Sequence, residues 1–478
     1  MNDRNLGRIF HVSLEGRGVE ENASFLRKVR PGSISLYAND FSNLDELRKL
    51  IGDITRFYRT ELAMEKPLIA IDQEGGRVLR TRDIPNSPGN MAIGATGDSL
   101  MSEYAGKLMG YQLRTLGIDW DLAPVLDVNR NPRNPIIGTR SFGDNVAGVS
   151  SLGVHFIRGM KSQGCLTTAK HFPGHGSVDV DSHLDLPVDR SSLARIKEDA
   201  IPFAEALKEG VDTVMISHLS YPSMTGRDDL PATLSKGIVT DYLKKELSCA
   251  APVMTDSLSM GAVKKHFSPS ETALKAIEAG IDMLALTERS AAIEMFDSLL
   301  GQSGNIEKRL EDALHRVSPL YVRKDIGKPV PTDTLNHLIY SSVTRMGPHA
   351  RPAGAADTLW RIYDFKVTVA GRSYSPLEEA LKRLDIHFTR QGEGNHALVQ
   401  VSDDHVWPHH KLDEIIGRHK EVYAIGIGTP YDSGLLPGIP YYTGYSPDVQ
   451  SVIAALEALF GLFEPRGKLP VTVPANRQ

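Results

Sequence analysis

With 478 residues, 41% hydrophobic and 24% charged, the chain has the composition of a soluble globular protein too long for one ordinary domain, although an α/β barrel can absorb about 250 or more in one core. A formal net charge of -5 with no basic cluster excludes an electrostatic case for nucleic acid or an anionic membrane as partner. Cys165 and Cys249, the whole cysteine complement, are too few for a disulfide-built scaffold and read as small core residues.

The opening MNDRNLGRIFHVSLEG mixes charge into its first residues, so neither a signal peptide nor a membrane span is expected, and the expected location is the cytoplasm. Eight short apolar runs follow, at 9–14, 33–37, 67–72, 118–128, 165–170, 213–218, 252–257 and 282–286. Segments with apolar residues at helical spacing, such as 44–62, 193–208 and 238–247, lie between them. Eight strand-and-helix repeats predict an α/β fold whose first unit, 1–325, is a (β/α)8 TIM-type barrel; a doubly wound sheet also alternates but does not need eight units. Five runs end in polar residues: Asp72, Asp127, Lys170 with His171, His218 and Asp256. In a barrel all these ends open on one face, so residues distant in sequence converge on one pocket.

Pro- and Gly-rich stretches at 327–331 and 347–354 then mark a linker, 326–362, with one helix at 334–345. Residues 363–478 predict a smaller α/β sandwich domain with strands at 366–370, 397–402 and 422–427, helices at 376–383, 411–418 and 447–460, and a mostly parallel sheet. Its His405, His409 and His410 read as a solvated loop rather than a metal site.

The densest chemistry is KHFPGHGSVDVDSHLDLP, 170–187. His171 and His175 have the spacing of two metal ligands on a helix, but Pro173 and Gly174 between them argue against helix. A barrel metallohydrolase using His171, His183 and Asp256 stays as an alternative. Asp181 and His183, two apart in an extended loop, point the same way. The carboxylate can orient one ring nitrogen and leave the other for proton transfer, or the pair can be a structural hydrogen bond. Asp256 at a strand end can serve as a nucleophile if neighbouring donors keep it ionised. Asp72, Arg80, Arg140, Lys170 and His171 supply the paired donors and acceptors that sugar hydroxyls need. No phosphate-binding glycine motif is present in a strand-to-helix setting, so a nucleotide enzyme is not expected.

The segments IDQEGGRVLR (71–80), LAPVLDVNRNP (122–132), GTRSFGD (138–144), KHFPGHGSVDVDSH (170–183) and VMTDSLSMGA (253–262) together resemble glycoside hydrolase family 3, in its bacterial β-N-acetylglucosaminidase branch. The resemblance implies a retaining mechanism in which Asp256 is the nucleophile and His183, oriented by Asp181, is the acid and base. It implies that Asp72, Arg80, Arg140, Lys170 and His171 hold a terminal N-acetylglucosamine, that muropeptides of peptidoglycan recycling are the substrate, and that no cofactor or metal is needed. Phosphorolysis is the alternative outcome, and a non-catalytic sugar-binding protein the third. FEPRGKLPVTVP (463–474) resembles the second domain of longer members, for which a structural or pocket-rimming role is expected.

Overall fold

A computed structural model describes residues 3–16, 18–179, 185–322, 324–349, 352, 358–391, 396–402, 407, 409–436 and 438–474. Eight strands form the first unit: β1 (Phe10–Ser13), β2 (Ser33–Leu36), β3 (Leu68–Ile71), β4 (Trp120–Asp121), β5 (Thr168–Phe172), β6 (Thr213–Ile216), β7 (Val253–Thr255) and β8 (Leu284–Leu286). They pair in parallel as β4-β3-β2-β1-β8 and β5-β6-β7. Bridges at Trp120–Leu166 and Val125–Lys170 link β4 to β5, and Met254–Met283 links β7 to β8, which closes the predicted barrel. Alternation along the strands builds two cores. Leu68 and Ala70 of β3 meet Trp120, Leu166, Met215 and Met254 inside the barrel. Ile69 and Ile71 join the helices outside it.

Two predicted elements are interrupted by proline. The run 118–128 shrinks to β4 and one further bridge, because Pro124 has no N–H to give a ladder. The expected helix 193–208 is two, Leu193–Asp199 and Ile201–Lys208, with Pro202 in the first turn of the second. The helix Leu44–Glu61 runs as expected, its N-terminus capped by Asn43, whose side chain accepts from the Asp45 and Glu46 N–H groups. Cys165 and Cys249 are free and buried.

Beyond the barrel the helix Asp333–Ser342 stops short of the expected 345, where β-branched Val343 and Thr344 favour extended backbone. Strand β9 (Thr344–Met346) follows, so the expected linker contributes an edge to the second sheet. The remaining strands are β10 (Trp360–Tyr363), β11 (Val367–Val369), β12 (Arg372–Tyr374), β13 (Phe388–Thr389), β14 (His396–Val401), β15 (Glu421–Gly426) and β16 (Tyr441–Thr443). The sheet order is β13-β10-β14-β15-β16-β9, parallel except for β9. Leu398 of β14 packs with Leu377 and Val452 on one face. Ala397 and Val399 pack with Leu412 and Ile415 on the other, giving helices on both sides. The run 366–370 does not join this sheet. It forms a hairpin with β12 through Ala370 and Gly371, both at positive φ, a turn that returns the chain on itself.

The second domain grips barrel loops directly. Pro470 O accepts from Asp144 N at 3.1 Å, Asp144 Oδ2 accepts from Thr472 N at 2.7 Å, and Met91, Ala92 and Ala95 pack against Tyr431, Tyr445 and Val471. The buried Asn129 Nδ2 donates to Tyr431 Oη at 2.9 Å. Tyr431→Phe removes that acceptor from a buried donor and is expected to destabilise the protein by about 1–3 kcal/mol, read as a lowered Tm in thermal unfolding.

Candidate active site

The C-terminal ends of the strands surround a cavity of about 490 Å³. Asp72 follows β3, Lys170 and His171 lie in β5, and Asp256 follows β7; Arg80 and Arg140 reach the same cavity from the loops after β3 and β4. All six are sequence-predicted site residues, and the fold brings them together. Asp181 and His183, the predicted dyad, lie outside the described residues. The flanking Asp179 accepts from Arg133 at 3.4 Å and Asp185 from His266 at 3.2 Å.

Lys170, buried at 2% exposure, donates to Asp72 Oδ1 at 2.9 Å and lies 2.6 Å from Glu74 Oε1. Arg80 closes on Asp72 Oδ2 at 2.8 Å, and Arg140 grips both Glu74 oxygens at 2.8 Å. The Arg80 guanidinium also sits 5.0 Å over the Tyr37 ring. Burial alone would push the Asp72 carboxyl up, but the Lys170 and Arg80 charges outweigh it and hold it well below the usual carboxylate range. Glu74 behaves alike: burial raises it, Arg140 and Lys170 override, and it falls to about 2. Every member of this lattice is therefore ionised at neutral pH. It presents alternating fixed donors and acceptors to the cavity, a match for a ring of vicinal hydroxyls.

Asp127 organises the histidine loop. Its fully buried carboxylate accepts from the backbone N–H of His171 and of His175 and from His171 Nδ1 at 2.8 Å. Burial would raise its pKa, but His171 leads the contacts that lower it below the usual range. An ionised acceptor requires the proton on Nδ1, so His171 Nε2 is left for a ligand. His175 stacks edge-on to His171 at 5.9 Å, and burial lowers its pKa to about 4, so it is neutral at pH 7. Among the described residues no three His, Cys, Asp or Glu side chains are grouped to hold a metal ion. In the second domain, His405 lies outside the described residues and His410 is exposed at a helix start.

Asp256 accepts from the Ser257 N–H at 2.7 Å. Burial would raise its pKa, yet the adjoining His171, His218, the Ser257 N–H and Lys170 lower it below the usual carboxylate range. It is a preformed anion facing the cavity. His218, also at a strand end, is turned inward: Nε2 donates to Ser257 O at 3.0 Å and Nδ1 meets Thr233 Oγ1 at 2.7 Å, so it positions the Asp256 turn.

Glu74, Tyr37 and His11 also line the cavity, and the sequence pattern singles out none of them; Asp127 is expected there as a strand end, but not its bond to His171. Glu74 shares the IDQEGGR turn with Asp72, and the Gly pair after it was the available signal. Burial pushes the Asp121 carboxyl well above its usual range, and it accepts from Gln73 N at 2.9 Å. Glu74→Gln leaves Arg140 and Lys170 without their charge partner and is expected to lower stability at pH 7 by about 3–5 kcal/mol. Because the folded pKa is depressed from 4.5 to about 2, the stabilisation from Glu74 is complete above pH 4.5 and fades as pH falls through 2. Urea unfolding across that window should show an acid-dependent loss in the parent protein that is reduced in Glu74→Gln.

The glycosyl hydrolase family 3 N terminal domain profile matches residues 3–320. The chain is 33% identical over 316 residues to beta-hexosaminidase A of Pseudoalteromonas piscicida, an alignment that spans 60% of this chain and 53%, about half, of that relative. It is 36% identical over 302 residues to a beta-hexosaminidase of Psychromonas ingrahamii, across 60% of this chain and 86% of that one. A solved glycoside hydrolase family 3 beta-N-acetylglucosaminidase from Paenibacillus sp. str. FPU-7 superposes with a TM-score of 0.90 at 25% identity, covering 100% of this chain and 99% of that one, so both domains have counterparts there. The chain belongs to glycosyl hydrolase family 3.

Proposed function

We propose that the protein is a retaining exo-β-N-acetylglucosaminidase that removes terminal N-acetylglucosamine from muropeptides in cytoplasmic peptidoglycan recycling. The observation that carries this reading is an ionised Asp256 facing a cavity whose wall is the Arg80–Asp72–Lys170–Glu74–Arg140 lattice. The β-hexosaminidase names of relatives at 33% and 36% identity support the sugar.

In this reading the lattice and His171 hold the sugar hydroxyls, and Asp256 attacks the anomeric carbon. The glycosidic C–O bond breaks as the His183 imidazole, oriented by Asp181, gives its proton to the departing oxygen. His183 then takes a proton from water, which attacks the anomeric carbon and releases Asp256, so two inversions give net retention. The chain's own groups carry each step, without a cofactor.

Two measurements test the reading. Product analysis by NMR on an aryl N-acetyl-β-glucosaminide is expected to show β-N-acetylglucosamine first, with or without phosphate. Sugar 1-phosphate as the main product would replace hydrolysis by phosphorolysis. His183→Ala is expected to slow substrates with basic leaving oxygens about 10²–10⁴-fold and activated aryl glycosides far less. Equal losses on both in steady-state kinetics would remove His183 from the acid role.

A further inference from the structure

Besides the charged lattice and Asp256, the active-site cavity is lined by His11 of β1, Ser35 of β2 and Tyr37 just past β2. Ser35 and Tyr37 are two apart on one strand and so face the same way. Ser35 pairs in register with Ala70, two residues before Asp72, and lies one inward-facing step deeper than Tyr37. His11 pairs with Ser33 and Ala285, also within the strands. His11 and Ser35 therefore form part of the floor of the cavity, with Tyr37 at its edge.

Protein groups leave the hydrogen-bonding capacity of all three unmet. Ser35 is 2% exposed, and its Oγ has no hydrogen-bond partner among the described residues. Tyr37 donates its backbone N–H to Asp40, but its Oη makes no hydrogen bond among the described residues. The His11 ring is 4% exposed, with Nδ1 2.9 Å from Ser33 Oγ and Nε2 without a partner among the described residues. Ser33 is wholly buried, and among the described residues its hydroxyl reaches no other acceptor. Ser33 therefore donates to Nδ1, and the ring proton sits on Nε2. An edge contact with Trp120, 5.3 Å between centroids, fixes the ring. Burial holds the imidazole down at about 4 against the pull of Asp72, while burial and Asp72 push the Tyr37 phenol up, so both are neutral at pH 7.

A buried polar atom without a partner weakens the fold, and three gathered on one cavity are explained by a ligand that completes them. One N–H donor and two hydroxyls that both donate and accept suit neutral hydroxyl groups rather than an ion. We propose that His11, Ser35 and Tyr37 form a floor subsite that takes the hydroxyl groups at the non-reducing end of the terminal sugar, those on C4 and C6. The assignment rests on the glycosidase reading above: with the anomeric carbon against Asp256 at the end of β7, the opposite end of the ring is directed into the barrel. The charged lattice then holds the sides of the ring, and the neutral floor fixes how far it enters.

The test is a coupling between residue and substrate hydroxyl. Hydrolysis of an aryl N-acetyl-β-glucosaminide is compared with that of its 4-deoxy and 6-deoxy analogues by the parent protein, Ser35→Ala, Tyr37→Phe and His11→Leu. The parent is expected to lose about tenfold in kcat/KM on at least one analogue, and a floor variant to shrink that penalty to about twofold or less. A residue of purely structural importance lowers turnover of all substrates alike and keeps the penalty intact, which would overturn the subsite. Coupling to loss of the acetamido group instead would place the floor at the other end of the sugar and also overturn it. Where His11→Leu fails to fold, Ser35→Ala still decides. Its hydroxyl has no protein partner, so Tm is expected to hold or rise, and a lowered Tm would overturn the ligand-facing role. Calorimetric titration with N-acetylglucosamine and its two deoxy analogues repeats the comparison without turnover. A deoxy penalty that Ser35→Ala removes supports the floor even if no glycoside is cleaved, in which case the glycosidase reading fails separately. Equal binding of the three sugars by the parent would overturn the floor.

Discussion

The ammonium of Lys170 sits among two carboxylates and two guanidinium groups with almost no solvent, and the active-site end of the barrel depends on that arrangement. Taking such charges out of water costs several kcal/mol each, and only a complete set of partners offsets it. Those partners come from three places: Asp72 and Glu74 after β3, Lys170 within β5, and Arg140 beyond β4. The lattice therefore forms only when strands distant in sequence are already in register. Fold and site are one structure at this point. Three cations against two carboxylates leave the lattice one positive charge in excess, which the ionised Asp256 in the same cavity balances, and Lys170 is among the groups that keep Asp256 ionised. One set of charges thus orders the cavity wall and favours the ionised form of Asp256.

Asp127 repeats this logic on a smaller scale. One buried carboxylate accepts from two backbone N–H groups and one imidazole, so hydrogen bonds to charge hold the start of the loop after β5, and Val178 packs into the core further along. A loop pinned this way can carry Gly174 and Gly176 without losing its course through the site. Close approach is what these glycines permit: a Cβ on Gly176 would collide with the Val128 carbonyl.

The barrel was legible because eight apolar runs each carry their own boundaries, and the strand-end residues Asp72, Lys170, His171 and Asp256 were legible because polar side chains there have one place to point. Partner identity was not. Glu74 reads as one more acidic residue in a glycine turn until Arg140, 66 positions away, is placed against it. Asp127 was visible as a strand end, but its bond to His171 spans 44 positions and two strands. Proline effects were local and could have been read: Pro124 and Pro202 interrupt elements in the way their missing N–H requires. The hairpin at Ala370 and Gly371 lacked the Asn-Gly or Asp-Gly signature, and β10 and β13 are too short or too irregular in pattern to stand out. For Asp181 and His183 the sequence pattern alone carries the assignment.

A closed barrel with a fully paired charge lattice at its mouth raises the question of what a second domain adds. Its contacts converge on two barrel loops. The loop after β3, which carries Arg80, is met by Arg372 on Asp83 and by Tyr374 under Arg82. The loop after β4, which carries Arg140, is met by Pro470 and Thr472 on Asp144 and by Tyr431 on Asn129. Surface loops left to themselves are mobile, and a site assembled from mobile loops spends part of its binding energy on ordering them. Fixing both arginine-bearing loops from outside removes that demand before substrate arrives. The second domain thus braces from outside the two loops whose arginines the barrel holds from within, Arg80 on Asp72 and Arg140 on Glu74.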